Sequence, residues 1–223
     1  MFKDRISQFL SCSLLPVTCS SNPINILVLA SGGGTNLQAL INAQAGGALE
    51  GGRIAAVLSD RSGVYALERA RLAEIPAFVE KPDTSLEKPE RRNELSDRIL
   101  RLCRKKQIGL IVYAGFLSIL TGIIIKEYAG KMINLHPALL PKFGGEGMYG
   151  EHVHRAVLAA GETESGCTIH LVDAGTDTGP ILLQRKVPVL PGDTPGSLAE
   201  RIHKEEHIAI VDGVKFMLEE LRK

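Results

Sequence analysis

The sequence predicts an α/β fold: a Rossmann-like, mostly parallel sheet with helices on both faces and a smaller mixed C-terminal half. Three observations carry that expectation. Short, almost wholly apolar runs recur at residues 24–30, 53–59 and 110–114, the pattern of strands buried on both faces. Amphipathic stretches with helical spacing alternate with them. The turn after the first run is Ser31-Gly32-Gly33-Gly34-Thr35-Asn36, glycine-rich where a βα unit turns from strand into helix.

In chain order, Leu37, Leu40 and Ile41 give the first helix its apolar face. The second strand is followed by Gly63 and a helix through Ala66, Leu67, Ala70 and Leu72. Pro82, Pro89 and several charges mark a solvated connection, after which Leu95, Ile99, Leu102 and Cys103 fall on one helix face. The third run is closed by Gly115 and leads to a helix expected near residues 119–128, then a strand over 132–135 ending at His136-Pro137. A turn-rich loop, Gly144-Gly145-Glu146-Gly147-Met148-Tyr149-Gly150, is expected to be mobile and precedes a helix through His154, Val157, Leu158 and Ala160. Residues 168–172 and 181–189 read as two strands, and Ile202, Ile210, Val211, Val214, Met217, Leu218 and Leu221 pattern a terminal helical region. One domain over residues 23–223 is expected, with the halves meeting near residue 130.

Composition narrows the function classes. The chain has 223 residues, enough to bury a substantial core. Lys and Arg total 26 against 25 Asp and Glu, a formal charge of +1 with no long basic run, so no nucleic-acid footprint is expected. The absence of Trp argues against a base-stacking platform. Cys12, Cys19, Cys103 and Cys167 show no metal spacing and read as incidental or buried thiols of a reducing, cytoplasmic compartment. Residues 1–22 start charged, but Gln8, Pro16 and several Ser and Thr interrupt their apolar middle. They are expected to be a disordered extension rather than an export signal, and no run approaches the ~18 apolar residues of a membrane span.

In open α/β sheets ligands bind at the carboxyl edge of the strands, and that edge gathers residues 31–36, 115–120 and 134–137. The glycine loop can aim the free amides of a helix's first turn at an anion, with phosphate the natural guest. It is neither a Walker loop nor a G-x-G-x-x-G fingerprint, and such a turn also serves simply to pack helix on sheet. Asn134 and His136, at i and i+2, project to the same side of a strand end, a donor pair suited to an oxyanion, although a His before Pro is also an ordinary turn residue. Asp177, in Asp173-Ala174-Gly175-Thr176-Asp177-Thr178-Gly179-Pro180, is the best carboxylate partner for His136. It is expected to raise the imidazole pKa and keep the ring cationic, unless it merely caps its own turn. His152, His154 and His170 form no recognised metal pattern. His152 and His154 are expected on solvated surfaces, and His170 is expected to orient site residues.

Taken together, residues 31–39 (S-G-G-G-T-N-L-Q-A), 114–117 (A-G-F-L), 134–141 (N-L-H-P-A-L-L-P) and Asp173 with Asp177-x-Gly179-Pro180 resemble the phosphoribosylglycinamide formyltransferase family of the folate formyltransferase superfamily. The resemblance runs in order from about Ile24 to Leu221. It implies transfer of a formyl group from 10-formyltetrahydrofolate, as co-substrate, to the glycyl amine of glycinamide ribonucleotide in purine synthesis, with no metal. It implies that Gly34, Thr35 and Asn36 hold the phosphate and that His203 and Glu206 contact the rest of that substrate. Arg92, Leu117, Ser118, Ile119, Leu120, Asn134, Asp173, Ala174, Gly175, Thr176 and Asp177 would line the folate site, and Asn134, His136 and Asp177 would be the catalytic group. It further implies small-molecule substrates only, with neither nucleic acid nor membrane as partner, and a monomer or homodimer.

Three departures from the family pattern stand out: a longer connection over residues 143–151, read as a lid over the ribonucleotide or else a surface insertion, Ala138 where many members carry Ser, and His203 where relatives often show Gln. The rivals are a formyltetrahydrofolate deformylase, a methionyl-tRNA formyltransferase and a non-catalytic folate or nucleotide sensor. The first would carry a preceding regulatory domain and the second a basic tRNA-binding domain. A sensor would be expected to have lost Asn134, His136 or Asp177.

Overall fold

The computed structural model describes residues 22–223; the extension expected to be disordered, apart from Asn22, lies outside them. Strand β1 (Ile24–Leu29) leads through the glycine loop to α1 (Thr35–Ala45), then β2 (Gly52–Ser59), α2 (Tyr65–Leu72), β3 (Ala77–Val79), α3 (Lys88–Lys105) and β4 (Ile108–Tyr113). The second half runs α4 (Ile123–Glu127), β5 (Met132–His136), α5 (Glu151–Ala159), β6 (Glu164–Leu171), β7 (Ile181–Pro188) and α6 (Pro195–Glu220). The strands form one sheet in the order β3-β2-β1-β4-β5-β6-β7. The first five are parallel, while β6 is antiparallel to both β5 and β7. This is the α/β architecture with a mixed end that the sequence predicts.

The apolar runs lack alternation because both faces of the sheet are covered. In β1, Ile26 and Val28 face a core layer shared with α1 and α6, and Leu27 and Leu29 face a second layer built with α3. A strand buried on both sides needs an apolar residue at every position. The terminal helix α6 starts at a capping box in which Thr194 and Ser197 satisfy each other's backbone amides, with Pro195 in the first turn. Its inner face, Leu198, Ile202, Ala209, Ile210, Val214 and Met217, is buried, and Gly213 admits Ile169 so closely that a Cβ there would lie 2.8 Å from that side chain.

Two elements differ from expectation. The helix expected over residues 119–128 is confined to α4. Gly122, at φ 77°, breaks it, and Ser96 Oγ accepts from the Thr121 amide while Asn93 accepts from the Thr121 hydroxyl, which holds residues 119 and 120 in a loop. Strand β3, three residues at the sheet edge, has no clear sequence signal because its outer positions are exposed. Cys103 and Cys167 are buried free thiols, and burial pushes both pKa values up to about 12, so neither is a nucleophile at neutral pH. Cys12 and Cys19 lie outside the described residues.

Candidate active site

The chain leaves β1 for β2 on one side and later returns to β4 on the other, which opens a crevice between the loops that follow β1 and β4. Ser31 ties those loops together: its amide donates to Gly115 O at 2.9 Å and its hydroxyl accepts from the Leu117 amide at 2.8 Å. A continuous cleft of about 900 Å³ follows the sheet's carboxyl edge from here to the loop after β6.

At one end lies the N-terminus of α1. Gly34 is its N-cap, left-handed at φ 72° and ψ 33°, and no side chain caps the helix, which leaves first-turn amides open toward the cleft. A Cβ on Gly34 would lie 2.8 Å from the Cα and Cβ of Ala66, so this position requires glycine twice over. Buried Glu206, carried here on the inner face of α6, accepts from Asn36 Nδ2 at 3.1 Å. His203, one turn earlier, stands 4.0 Å from the same carboxylate and is half exposed.

In the middle, β5 presents Asn134 and His136 on one face. The antiparallel register with β6 sets His170 directly opposite Asn134, so the two side chains meet at 3.0 Å. His170 Nδ1 lies 2.9 Å from the Leu171 carbonyl, which can only accept, so this nitrogen carries a proton, while Nε2 stands between Asn134 Nδ2 and, at 3.5 Å, Asp177 Oδ1. Asn134 Nδ2 also donates to Asp177 Oδ1 at 3.3 Å. The second carboxylate oxygen of Asp177 lies 3.5 Å from His136 Nδ1 and accepts the Gly145 amide at 3.0 Å.

Asp177 is not its own turn cap. Asp173 takes that role, accepting the Gly175 amide at 3.0 Å and the Thr178 hydroxyl at 2.7 Å. This frees Asp177, held at φ 59°, to point into the cleft. Left-handed backbone in a non-glycine residue is strain of the kind functional loops store, and Phe143 shares it at φ 56°. The Phe143 carbonyl lies 2.8 Å from His136 Nε2.

The expectation of a cationic His136 is overturned. Burial is the largest influence and pulls its pKa below the ordinary value; Asp177 and the Phe143 carbonyl push it back up without restoring it. For Asp177, burial alone would raise the pKa, but His170, His136 and the Gly145 amide together hold it below the usual carboxylate value. The resting pair is therefore a neutral imidazole, its Nε2–H directed at Phe143 O, beside a carboxylate anion.

His154 is a second correction, since its ring is buried and lines the cleft rather than standing in solvent. Its Nδ1 has no hydrogen-bond partner, and burial, followed by the neighbouring His203, lowers its pKa. Two rings kept neutral in the folded state bind protons less readily than in the unfolded chain, whose ordinary value is 6.5. Stability is then complete above that pH and is lost as pH falls below it. Thermal midpoints measured from about pH 7.5 to 5 are expected to decline, with a shallower slope in His154→Gln.

The cleft gathers nearly all the residues named from sequence. Gly34, Thr35, Asn36, His203, Glu206, Arg92, Leu117, Ser118, Ile119, Leu120, Asp173, Gly175, Thr176, Asn134, His136 and Asp177 all line it, with the loop after β4 next to the glycine loop and followed along the edge by β5 and the loop after β6. Ala174 is exposed and lies outside the lining. His154, Lys88, Arg61, Met148 and Tyr149 also line the cleft. Of these, His154 was findable, because it shares helical phase with Val157 and Leu158. Among the described residues, no group of three or more His, Cys, Asp or Glu is placed to hold a metal ion, and no helix is long and apolar enough to cross a membrane.

Against known proteins, residues 24–214 match the family model described as formyl transferase. The chain belongs to the formyl transferase family. Within that family it is 37% identical over 185 residues to the phosphoribosylglycinamide formyltransferase of Escherichia coli, covering 82% of each chain. It is 44% identical over 186 residues to the trifunctional purine biosynthetic protein adenosine-3 of Drosophila pseudoobscura, covering 82% of this chain but only 13% of that much longer protein. The crystal structure of glycinamide ribonucleotide transformylase 1 from Symbiobacterium toebii superposes with a TM-score of 0.80 at 36% identity, covering 93% of both chains. The family's fold is thus shared along essentially the whole described chain.

Proposed function

We propose that this chain transfers the formyl group of 10-formyltetrahydrofolate to the amine of N1-(5-phosphoribosyl)glycinamide. One observation carries the reading: a single cleft joins an uncapped helix N-terminus suited to a phosphate, a partly buried Asn-His-Asp group, and a mostly apolar loop after β4. A phosphorylated amine and a flat apolar donor, seated in the same cleft, meet at the polar group. Gly34, Thr35 and Asn36 hold the phosphate, and Glu206 and His203 face the ribonucleotide. Leu117, Ser118, Ile119 and Leu120 form one wall for the folate and the loop containing Asp173, Gly175, Thr176 and Asp177 the other.

The neutral amine attacks the formyl carbon. His136 Nε2–H turns from the Phe143 carbonyl to the developing oxyanion, and Asn134 donates a second hydrogen bond by giving up its long contact with Asp177. The charge building on that oxygen raises the basicity of the ring, so Nδ1 takes up the amine's proton through water beside Asp177, whose anion stabilises the imidazolium. Collapse breaks the bond between the formyl carbon and N10 of the folate. The proton passes to N10, so N-formyl product and tetrahydrofolate leave with all protons accounted for. Each side chain supplies position and field; the labile one-carbon unit belongs to the folate.

The decisive experiment follows tetrahydrofolate release from a 10-formylfolate donor by absorbance. Release that requires glycinamide ribonucleotide is expected. Release without the amine would identify a hydrolase of the deformylase type, and no release under either condition would leave only ligand binding.

A further inference from the structure

In the cleft, Lys88 and Arg92 stand four residues apart on α3, so they share one face of the helix. Both are ion-paired to the same oxygen of Glu146, Arg92 at 2.9 Å. Glu146 comes from the loop between β5 and α5, far away in sequence. Three other carboxylates line the cleft among the described residues, and each is engaged elsewhere: Asp173 in its turn, Asp177 with Asn134 and Gly145, and Glu206 with Asn36. Among the described residues that line the cleft, Glu146 is therefore the one acid ion-paired to Lys88 and Arg92; Arg61 and Arg91 line the same cleft.

We propose that Glu146 is a specificity-determining residue: in the free protein its carboxylate occupies the seat that Lys88 and Arg92 offer to the tail carboxylates of the folate donor, and it yields when they arrive. This rests on the folate reading above. Three features suit Glu146 to exchange. Its side chain is 55% exposed, so the pairs are screened and weak enough for an incoming dicarboxylate to displace. It is flanked by Gly145 at φ 100° and Gly147 at φ 91°, backbone that only glycine adopts readily. The Gly145 amide is anchored on Asp177, so a swing about these glycines moves Glu146 without displacing the catalytic group. Its cost falls on donor affinity and not on turnover.

The test is equilibrium binding of folic acid and of pteroic acid, which lacks the glutamyl carboxylates, to the wild-type chain and Glu146→Gln. Folic acid is expected to bind the variant roughly two- to tenfold more tightly, with pteroic acid unchanged. Equal or weaker folic acid binding, or equal tightening of both ligands, overturns the proposal and leaves the folate reading standing. A wild-type chain that binds neither ligand overturns both.

Discussion

His136→Ala is expected to lower kcat by about a thousandfold, the combined scale of one oxyanion donor and one proton carrier, while the KM for ribonucleotide stays within about threefold. The ring touches neither the glycine loop nor Glu206, so losing it removes an interaction made only as the oxyanion develops. Asp177→Asn keeps the side chain's shape but loses the anion that stabilises a protonated ring, and a loss of about a hundredfold or more is expected. Because the two act on one proton, the double variant should be scarcely worse than His136→Ala alone. Steady-state kinetics of the three variants check this, and near-wild-type turnover in either single variant would remove the Asn134–His136–Asp177 group from the chemistry.

The second large effect lies at Gly34. An alanine there must adopt φ 72° and would bring its Cβ to 2.8 Å from Ala66, against backbone as well as side chain. Left-handed strain and overpacking each cost about 1–3 kcal/mol, so Gly34→Ala is expected to lose roughly 2–6 kcal/mol of stability. The loop can relieve the contact only by moving away from α2, which disperses the amides converging on the phosphate, and ribonucleotide affinity should fall by more than about tenfold. Gly32→Ala is the control, since its Cβ would meet nothing within 4 Å and its melting temperature should stay near wild type. Calorimetric titration with ribonucleotide and thermal melting decide the matter, and a stable Gly34→Ala with intact binding would show that the loop does not hold the phosphate.

Local chemistry made much of the molecule legible in advance. The strands that are continuous apolar runs, β1, β2 and β4, stand where the hydrophobic pattern placed them, because burial on both faces leaves a period-free signature that few other elements produce. The helix α4 is shorter than its pattern predicts, since the ties from Asn93 and Ser96 to Thr121 bridge segments more than twenty residues apart. Strand β3 leaves no signal in the sequence, as an exposed edge strand needs no apolar pattern. Asn134 and His136 were legible as a pair from their i, i+2 spacing on a strand end. Asp177 was ambiguous, because an Asp among glycines has a local use as readily as a distant one, and it was the Asp173 turn cap that resolved the question.

By itself the sequence determined the sheet's buried strands, its glycine loop and the residues able to meet at the carboxyl edge, because those follow from short-range pattern and from the chemistry of single side chains. Tertiary structure alone decided how those residues behave. Burial of His136 outweighs the carboxylate beside it, His154 turns inward, and Glu146 reaches across to Lys88 and Arg92. Desolvation and ion pairing depend on which distant segments converge, and no window of sequence contains that information.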